Sequence, residues 1–285
     1  MTAATVTGST LRLETALPGG HSHSTYLARE TRTGVAVVLK AGGDPARLAR
    51  EAEILAALAG IPGAPCPHPM EAPRLPLPGH SPRQLLILRY VPGHHPRTLA
   101  DYQAFGASLA ILHNTPVTGA LRAFWRPPGE LLRPARILAA TAAPGLAGLI
   151  EALSPPSGQP WTDPVLTHGD AAPANAVICH RHGRAVLIDF ENATIAHPGL
   201  DIGRAVFLTD LAGAPAGQRS ARIAALLTGY ARHRALPDHM NWWIAAAGLQ
   251  IAAWRHVHRA RADVPPGQIA LDRAQRWAGF PGHPR

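Results

Sequence analysis

The sequence predicts an α+β protein with two lobes, a small β-rich N-terminal lobe and a larger, mostly helical C-terminal lobe. Up to about residue 90, short β-rich runs and turns enclose one helical segment. After His95, apolar residues recur at helical spacing over long stretches. One β-hairpin, residues 176–188, interrupts these helices.

The N-terminal lobe is predicted to contain four strands and one helix. Strands are expected at residues 10–13, 25–29, 35–40 and 85–88. A turn at residues 18–22, rich in Pro, Gly and Ser, joins the first two. Asp44 is a typical N-cap and Pro45 a typical first helical residue, so the helix begins there and ends before Gly60. A proline-rich loop, residues 62–82, follows it.

The C-terminal lobe is predicted to contain four long helices around the hairpin. The helices are expected at residues 99–113, 131–153, 220–234 and 240–261. The hairpin pairs residues 176–179 with 185–188. We therefore divide the chain into an N-terminal lobe at 1–88, a hinge at 89–95 and a C-terminal lobe at 96–285.

Acidic and amide side chains bracket the hairpin. Asp170 and Asn175 precede it, and Asp189 follows it, with Phe190 and Glu191 next in the chain. Because Asn175 begins one strand and Asp189 ends the returning strand, both leave the hairpin at the same edge. Their oxygens suit a hard divalent cation, and Asp170 can orient a hydroxyl and accept its proton. This combination is typical of phosphoryl transfer, which depends on positioning and charge neutralisation.

These segments resemble the signature of the aminoglycoside phosphotransferase and choline kinase family, which has the protein-kinase-like fold. The catalytic signature is carried by HGDAAPAN, VLIDFENA and HPGLD, and further similarity covers most of the chain. LPGGHSHSTYLA is similar to the family's phosphate-covering turn, VAVVLK to its lysine strand, REAEILAAL to its N-lobe helix, LLILRYVPG to its hinge and FGASLAILH to its first C-lobe helix. The resemblance implies a kinase that uses ATP and Mg²⁺ and phosphorylates a hydroxyl of a small molecule.

The resemblance also implies roles for residues of the catalytic segment. Asp170 would position and deprotonate the acceptor hydroxyl, while Asn175 and Asp189 would hold Mg²⁺ on the ATP phosphates. We expect His168 to brace the loop and Asp201 to bond its backbone, both as structural residues.

The implied nucleotide site lies in the N-terminal lobe and the hinge. Lys40 would contact the α- and β-phosphates and pair with Glu51, for which Glu53 in the same helix is the open alternative. The turn would supply N–H groups to the phosphates and the hinge backbone would bind adenine, through Gly20, His21, Ser22, Arg89 and Val91.

The basic residues give Lys40 separate support. The chain has 27 basic residues, and Lys40 is the only lysine among them, the rest being arginine. A compact ammonium is not interchangeable with a guanidinium between a phosphate and a carboxylate. The retained lysine therefore falls where the implied chemistry needs one.

Composition narrows the class of protein and its partners. The net charge is +9, but the arginines are scattered without a nucleic-acid-binding motif, so no nucleic acid partner is expected. The longest apolar stretch, residues 242–254, is too short for a bilayer, and no secretion signal is recognisable. Cys66 and Cys179 are the only cysteines, too few for a disulfide framework, which favours a reducing compartment. The histidine pairs lack the ligand spacing of a structural zinc site. We expect a cytoplasmic protein without a membrane partner.

The acceptor and the role of a few side chains stay open. From Pro96 onward there are 12 acidic residues and 18 arginines, which favours an uncharged or anionic acceptor such as a sugar derivative or hydroxy amino acid. The alternatives are an aminoglycoside or choline/ethanolamine kinase, an inactive nucleotide-binding regulatory protein, and a protein kinase. Glu191 is either a second metal contact or an outward-facing acid. Three tryptophans line either an acceptor cleft or the core: Trp242, Trp243 and Trp254.

Overall fold

The computed structural model describes most of both lobes. The described residues are 11–17, 23–67, 69–70, 85–117, 119–125, 136, 164–257 and 267–279. The predicted turn at 18–22, most of the loop at 62–82 and all but residue 136 of the predicted helix at 131–153 lie outside them. Among the helices that are described, none combines the length and the apolar character needed to cross a membrane.

An antiparallel sheet of five strands forms the N-terminal lobe. The strands are β1 (Leu11–Ala16), β2 (Ser24–Glu30), β3 (Ala36–Ala41), β4 (Pro69–Met70) and β5 (Leu85–Arg89), in the spatial order β1-β2-β3-β5-β4. Side chains alternate along β3, so Val37 and Leu39 enter a small core on one face with Ile87 of β5. Val38 and Lys40 therefore face the other side, where the helix of this lobe packs.

Helix α1 (Pro45–Ala59) covers that side of the sheet. Asp44 caps it by accepting a hydrogen bond from the Ala46 N–H, as the sequence predicts. Leu48, Leu55 and Leu58 are buried at helical spacing in the main core. Glu51 lies in the same stripe and is completely buried, because it is three residues from Leu48 and four from Leu55.

The hinge connects the sheet to the first elements of the C-terminal lobe. It ends in a short strand, β6 (Gly93–His94), and helix α2 (Leu99–His113) follows. Thr98 and Asp101 form a reciprocal capping box at the start of α2. The described residues continue with a 3₁₀ segment, Gly119–Phe124.

Two small sheets hold the polar loops of the C-terminal lobe. The described strands are β7 (Val165–Thr167), β8 (Ala176–Cys179), β9 (Ala185–Leu187) and β10 (Thr194–Ala196). β8 and β9 form the predicted hairpin, and β6 extends it at the edge of β8. β7 pairs with β10, a pairing absent from the sequence prediction because both strands have only three residues.

Four further helices complete the described part of this lobe. They are α3 (Gly199–Leu211), α4 (Ala216–Ala231), α5 (Met240–Val257) and α6 (Gly267–Ala278). The sequence predicts α4 and α5 within a few residues, but it misses α3 and α6. Two glycines in α3 lower its intrinsic helix propensity. They are needed there because a Cβ at Gly199 or Gly203 would come within 2.4–2.5 Å of Trp243 in α5.

Helices α2 and α4 cross with their backbones in close contact. A Cβ at Gly106 would lie 2.0 Å from the carbonyl oxygen of Leu226, and one at Gly229 would lie 2.0 Å from that of Gln103. Each helix thus presents a glycine to the backbone of the other. This crossing anchors α2, whose C-terminal His113 reaches the centre of the lobe.

We predict that Gly106→Ala destabilises the protein by about 1–3 kcal/mol, because the added methyl group forces two backbones apart. Urea unfolding measures the loss. Gly217→Ala, in the first turn of α4 with nothing within 4 Å, is the matched control and should be neutral or slightly stabilising. Equal stability of the two variants would contradict the packing described for this crossing.

Candidate active site

Asp201 holds the loop that carries the predicted catalytic aspartate. Its carboxylate accepts hydrogen bonds from the N–H groups of His168 at 2.6 Å and Gly169 at 2.9 Å. Gly169 has φ +76°, and a Cβ there would lie 2.0 Å from the carbonyl oxygen of Asn192. The path of the loop therefore requires both the buried carboxylate and the glycine.

Asp201 belongs to a buried network at the centre of the lobe. His113 donates from Nε2 to Oδ2 of Asp201 at 3.0 Å, and its Nδ1 lies 2.9 Å from the Tyr230 hydroxyl. Burial by itself raises the pKa of Asp201, but the hydrogen bond and charge of His113, with the His168 contacts, lower it below its usual value. The ionised carboxylate thus joins α2, α3 and α4 to the catalytic loop.

His168 braces the loop, as the sequence predicts. Its Nε2 donates to the carbonyl oxygen of Ile188 at 2.8 Å, and its Nδ1 accepts from the Asp170 N–H at 3.3 Å. The ring also packs against Phe190, with 4.7 Å between centroids. Both ring nitrogens are therefore engaged in holding the loop against the segment that follows β9.

Asp170 lies between two partners from different elements. Asn175 donates from Nδ2 to the backbone oxygen of Asp170 at 2.9 Å and to its Oδ2 at 3.1 Å. Arg204 of α3 donates from Nε to Oδ1 at 2.7 Å, and its Nη2 lies 2.6 Å from the same oxygen. Burial raises the pKa of Asp170, but Arg204 and the other contacts outweigh it and lower that pKa.

Arg204 is the main site residue that sequence reasoning missed. The only available signal was its position three residues after Asp201, which places both on one face of a helix. Because the sequence did not predict α3, the three-residue spacing did not indicate that Arg204 lies near the site.

The hairpin brings Asn175 and Asp189 to one edge, as its topology predicts. Ala176 pairs with Leu187, and the Ile188 N–H donates to the Asn175 backbone oxygen at 2.9 Å. Since Nδ2 of Asn175 is held by Asp170, its side-chain oxygen is directed away from that aspartate. Asp189 has φ +70° and a partly exposed carboxylate. An amide oxygen and a carboxylate form a donor set that fits Mg²⁺.

Lys40 joins the two lobes at this edge. Its Nζ donates to both oxygens of Glu51, at 2.8 and 2.7 Å, and to Oδ1 of Asp189 at 2.7 Å. Burial alone lowers the pKa of Lys40, but the two carboxylates outweigh it and raise that pKa, so the ammonium stays charged. Glu53, the open alternative to Glu51, is exposed on the other side of α1.

Glu191 is buried, so its interpretation as an outward-facing acid is wrong. Its carboxylate lies 2.8 Å from Nε2 of His23 and accepts from Nη1 of Arg47 at 3.3 Å. The other ring nitrogen of His23 donates to the carbonyl oxygen of Gly42 at 2.8 Å. α1 packs directly on this segment, which turns the side chain inward. Glu191 therefore ties the N-terminal lobe to the segment after Asp189.

The hinge residues present backbone groups on the side away from β3. The Tyr90 N–H donates to the Ala36 carbonyl oxygen at 3.2 Å. Within one trans peptide the carbonyl and the N–H point in opposite directions, so the Arg89 carbonyl points away from Ala36. The Arg89 side chain is exposed, and Val91 follows. The other predicted backbone contacts, Gly20, His21 and Ser22, lie outside the described residues.

Two of the three tryptophans pack within the helical lobe. Trp243 is buried and stacks on His197, with 4.6 Å between centroids and 8° between planes. Trp242 meets it edge-on at 4.7 Å and packs against the main core. Trp254 lies further along α5 and is 38% exposed. Trp243 thus packs against α3, and both it and Trp242 contribute to the core rather than line an acceptor cleft.

Comparisons with known proteins agree on fold and family. A family profile described as "phosphotransferase enzyme family" matches residues 14–236. No curated protein matches the chain. Among solved structures, an aminoglycoside phosphotransferase from Alicyclobacillus acidocaldarius is similar with a TM-score of 0.57, 16% identity, and 94% of this chain and 89% of that chain covered.

Two further solved structures are similar at low identity. An ethanolamine kinase from Plasmodium vivax has a TM-score of 0.63 and 11% identity, with 95% of this chain and 83% of that chain covered. A spectinomycin phosphotransferase in complex with ADP and spectinomycin has a TM-score of 0.55 and 12% identity, with 93% and 89% covered. These likenesses show the fold, which is the two-lobed protein-kinase-like fold.

We predict that Asp201→Asn costs about 3 kcal/mol of stability near neutral pH, because it removes a buried charge from three donors. The folded pKa of Asp201 is lowered, so its contribution is present above the unfolded value and is lost as pH falls through the folded pKa. The stability difference between wild type and variant should therefore stay constant down to about pH 5 and shrink below that, as the pH falls through the unfolded value of about 3.9 toward the lower folded pKa.

Urea unfolding at several pH values measures this difference. Asp238→Asn, at an exposed position before α5, is the control and should change stability little at any pH. A difference for Asp201→Asn that stayed constant down to low pH would count against the ionised carboxylate as the anchor of the loop.

Proposed function

The chain belongs to the phosphotransferase enzyme family, and from that premise we propose that it is a kinase which transfers the γ-phosphate of ATP, with Mg²⁺, to a hydroxyl of a small molecule. One observation carries the proposal. Lys40 joins Glu51 and Asp189 across the lobes, while Asp170 and Asn175 lie together on the adjoining loop. A charged ammonium, two groups with oxygen ligands and a separate carboxylate are the parts that phosphoryl transfer requires.

The proposed nucleotide site lies between the lobes. Lys40 would contact the α- and β-phosphates while Glu51 keeps its ammonium in place. The turn that contains Gly20, His21 and Ser22 would cover the phosphates through N–H groups. The backbone oxygen of Arg89 and the N–H of Val91 would bind adenine. The ADP complex of the spectinomycin enzyme supports nucleotide use by this fold.

The proposed metal ligands are Asn175 and Asp189. When bound there, Mg²⁺ would neutralise charge on the phosphates. Asp170 fixes Nδ2 of Asn175, which would leave the amide oxygen for the metal, and the left-handed backbone conformation of Asp189 would direct its carboxylate to the same place. The contact of Lys40 with Oδ1 of Asp189 further restricts that carboxylate.

Asp170 would act on the acceptor hydroxyl. Its lowered pKa keeps it ionised at neutral pH, so it can accept a hydrogen bond from the hydroxyl and orient the oxygen for attack. Because a carboxylate of low pKa is a weak base, we propose that Asp170 takes the proton only as the oxygen–phosphorus bond forms. Its main contribution is then the placement of the nucleophile.

Charge around the site supports an uncharged or anionic acceptor, such as a sugar derivative or hydroxy amino acid. Each carboxylate near the catalytic loop already has a cationic or histidine partner within the described residues. Asp170 pairs with Arg204, Asp189 with Lys40, and Asp201 with His113. A polycation would have to displace these partners.

A cationic acceptor is the second candidate. The similar solved structures include an ethanolamine kinase and aminoglycoside phosphotransferases, so an aminoglycoside, choline or ethanolamine is the alternative.

We also propose a cytoplasmic location and the lobe boundaries 1–88, 89–95 and 96–285 for this enzyme. An inactive nucleotide-binding protein is the remaining alternative.

A screen for acceptor-dependent ADP release tests the proposal. Anionic, neutral and cationic hydroxyl compounds are supplied with ATP, in the presence of Mg²⁺ or of a chelator. We expect turnover with a neutral or anionic compound and none with the chelator. Asp170→Asn should lower turnover about 10³-fold and keep ATP binding by calorimetry. Tight ATP binding without turnover would instead support the inactive protein, and turnover confined to cations would support the second candidate.

We predict that Lys40→Arg lowers kcat about 100-fold, because a planar guanidinium cannot replace the ammonium between Glu51 and Asp189 without moving one of them. Steady-state kinetics of ATP consumption with the acceptor found in the screen measures the effect. Arg232→Lys, at an exposed position after α4, exchanges the same residue types and should leave kcat unchanged. A fully active Lys40→Arg enzyme would refute the role assigned to the lysine.

A further inference from the structure

We propose that Arg204 is a positioning residue for phosphoryl transfer, which holds one oxygen of Asp170 so that the other faces the acceptor hydroxyl. The inference rests on the proposed function, since it concerns the same carboxylate. It starts from the geometry of the pair: Nε and Nη2 of Arg204 both lie within 2.7 Å of Oδ1 of Asp170. Two donors hold Oδ1 in place, and the contact of Asn175 with Oδ2 sets the rotation of the carboxylate about it.

The two oxygens of Asp170 are consequently not equivalent. Oδ1 carries both contacts with Arg204, whereas Oδ2, among the residues that the structure describes, has one hydrogen bond, from Nδ2 of Asn175 at 3.1 Å. A carboxylate oxygen can accept two hydrogen bonds. Oδ2 therefore keeps capacity for a hydroxyl on the side of Asn175, the proposed metal ligand. The acceptor oxygen would be directed to the place where the phosphates are proposed to lie.

Arg204 can act in this way because α3 is fixed along its length. Asp201, three residues earlier, holds the loop backbone through His168 and Gly169. Arg204 lies on the same face one turn later and holds the side chain of the same loop. A single helix thus positions both the backbone and the carboxylate.

The opposite face and the far end of α3 are also anchored. Gly199 and Gly203 pack against Trp243 of α5. At the C-terminal end, Asp210 accepts from Arg273 at 2.6 Å and from Trp277 at 3.2 Å. The guanidinium of Arg204 therefore extends from a rigid support, which is the condition for placing a reacting group accurately.

The test compares Arg204→Met with Arg29→Met. Each removes an arginine whose Nε donates to a carboxylate oxygen at 2.7 Å, but Arg29 of β2 pairs with Glu14 of β1, away from α3 and the catalytic loop. kcat and KM are measured for ATP and for the acceptor found in the screen. Crystal structures of both variants show the side chain of Asp170. Arg204→Lys, which keeps a cation and one strong contact, is measured in parallel.

We expect Arg204→Met to lower kcat about 100-fold with the KM for ATP unchanged, since misplacement by about 1 Å has an effect of this size. The Asp170 side chain should be displaced while the loop backbone stays in place. Arg204→Lys should recover part of the loss, and Arg29→Met should keep the wild-type kcat. If Arg204→Met does not fold, the proposal requires that Arg204→Lys displaces the Asp170 side chain and has a kcat below that of the wild type.

Two results would overturn the proposal. One is an unchanged kcat with Asp170 in its original position. The other is a large rise in the KM for the acceptor alone, which would make Arg204 a direct acceptor ligand. If the wild-type protein turns over no acceptor, the proposed function fails. The crystal structures then still test whether Arg204 positions Asp170. Displacement of Asp170 confined to Arg204→Met would then support its positioning by Arg204, and an undisturbed Asp170 would reject it.

Discussion

The burial of one ammonium between two carboxylates organises this molecule. Lys40 faces α1 because of the pleat of β3, Glu51 faces the sheet because of its place in the α1 stripe, and Asp189 comes from the other lobe. Burying any one of these charges alone would cost several kcal/mol, so each depends on the others. Glu51 also accepts from the Phe190 N–H at 3.1 Å. The ion pair thus fixes the backbone of the segment that carries Asp189.

Around this centre, the helical lobe provides rigidity through a small number of buried polar groups. Asp201 connects three helices to the catalytic loop, and Glu191 connects α1 and His23 to the segment after Asp189. Such groups need full sets of partners, because an unpaired buried charge destabilises the fold. The partners come from segments far apart in sequence. The site is therefore complete only when both lobes have packed.

Much of this arrangement could be predicted from the sequence, and the failures share a physical cause. The hairpin, the cap at Asp44 and the proximity of Asn175 to Asp189 follow from local patterns and strand topology. Glu191 and Arg204 could not be predicted, since their partners depend on how α1 and α3 pack. α3 itself was hidden by its two glycines, which reflect contact with α5 rather than local propensity.

The single lysine has a chemical consequence. It is the only side-chain amine in the sequence, and it is 7% exposed between the lobes. Reagents that acylate or reductively alkylate amines therefore have one side-chain target here, and an α-amino group is the only other amine with which they react. The contacts of Lys40 with Glu51 and Asp189 restrict access to that target. The rate of its modification thus reports how often the contacts between the lobes open, at the residue on which the proposed chemistry depends.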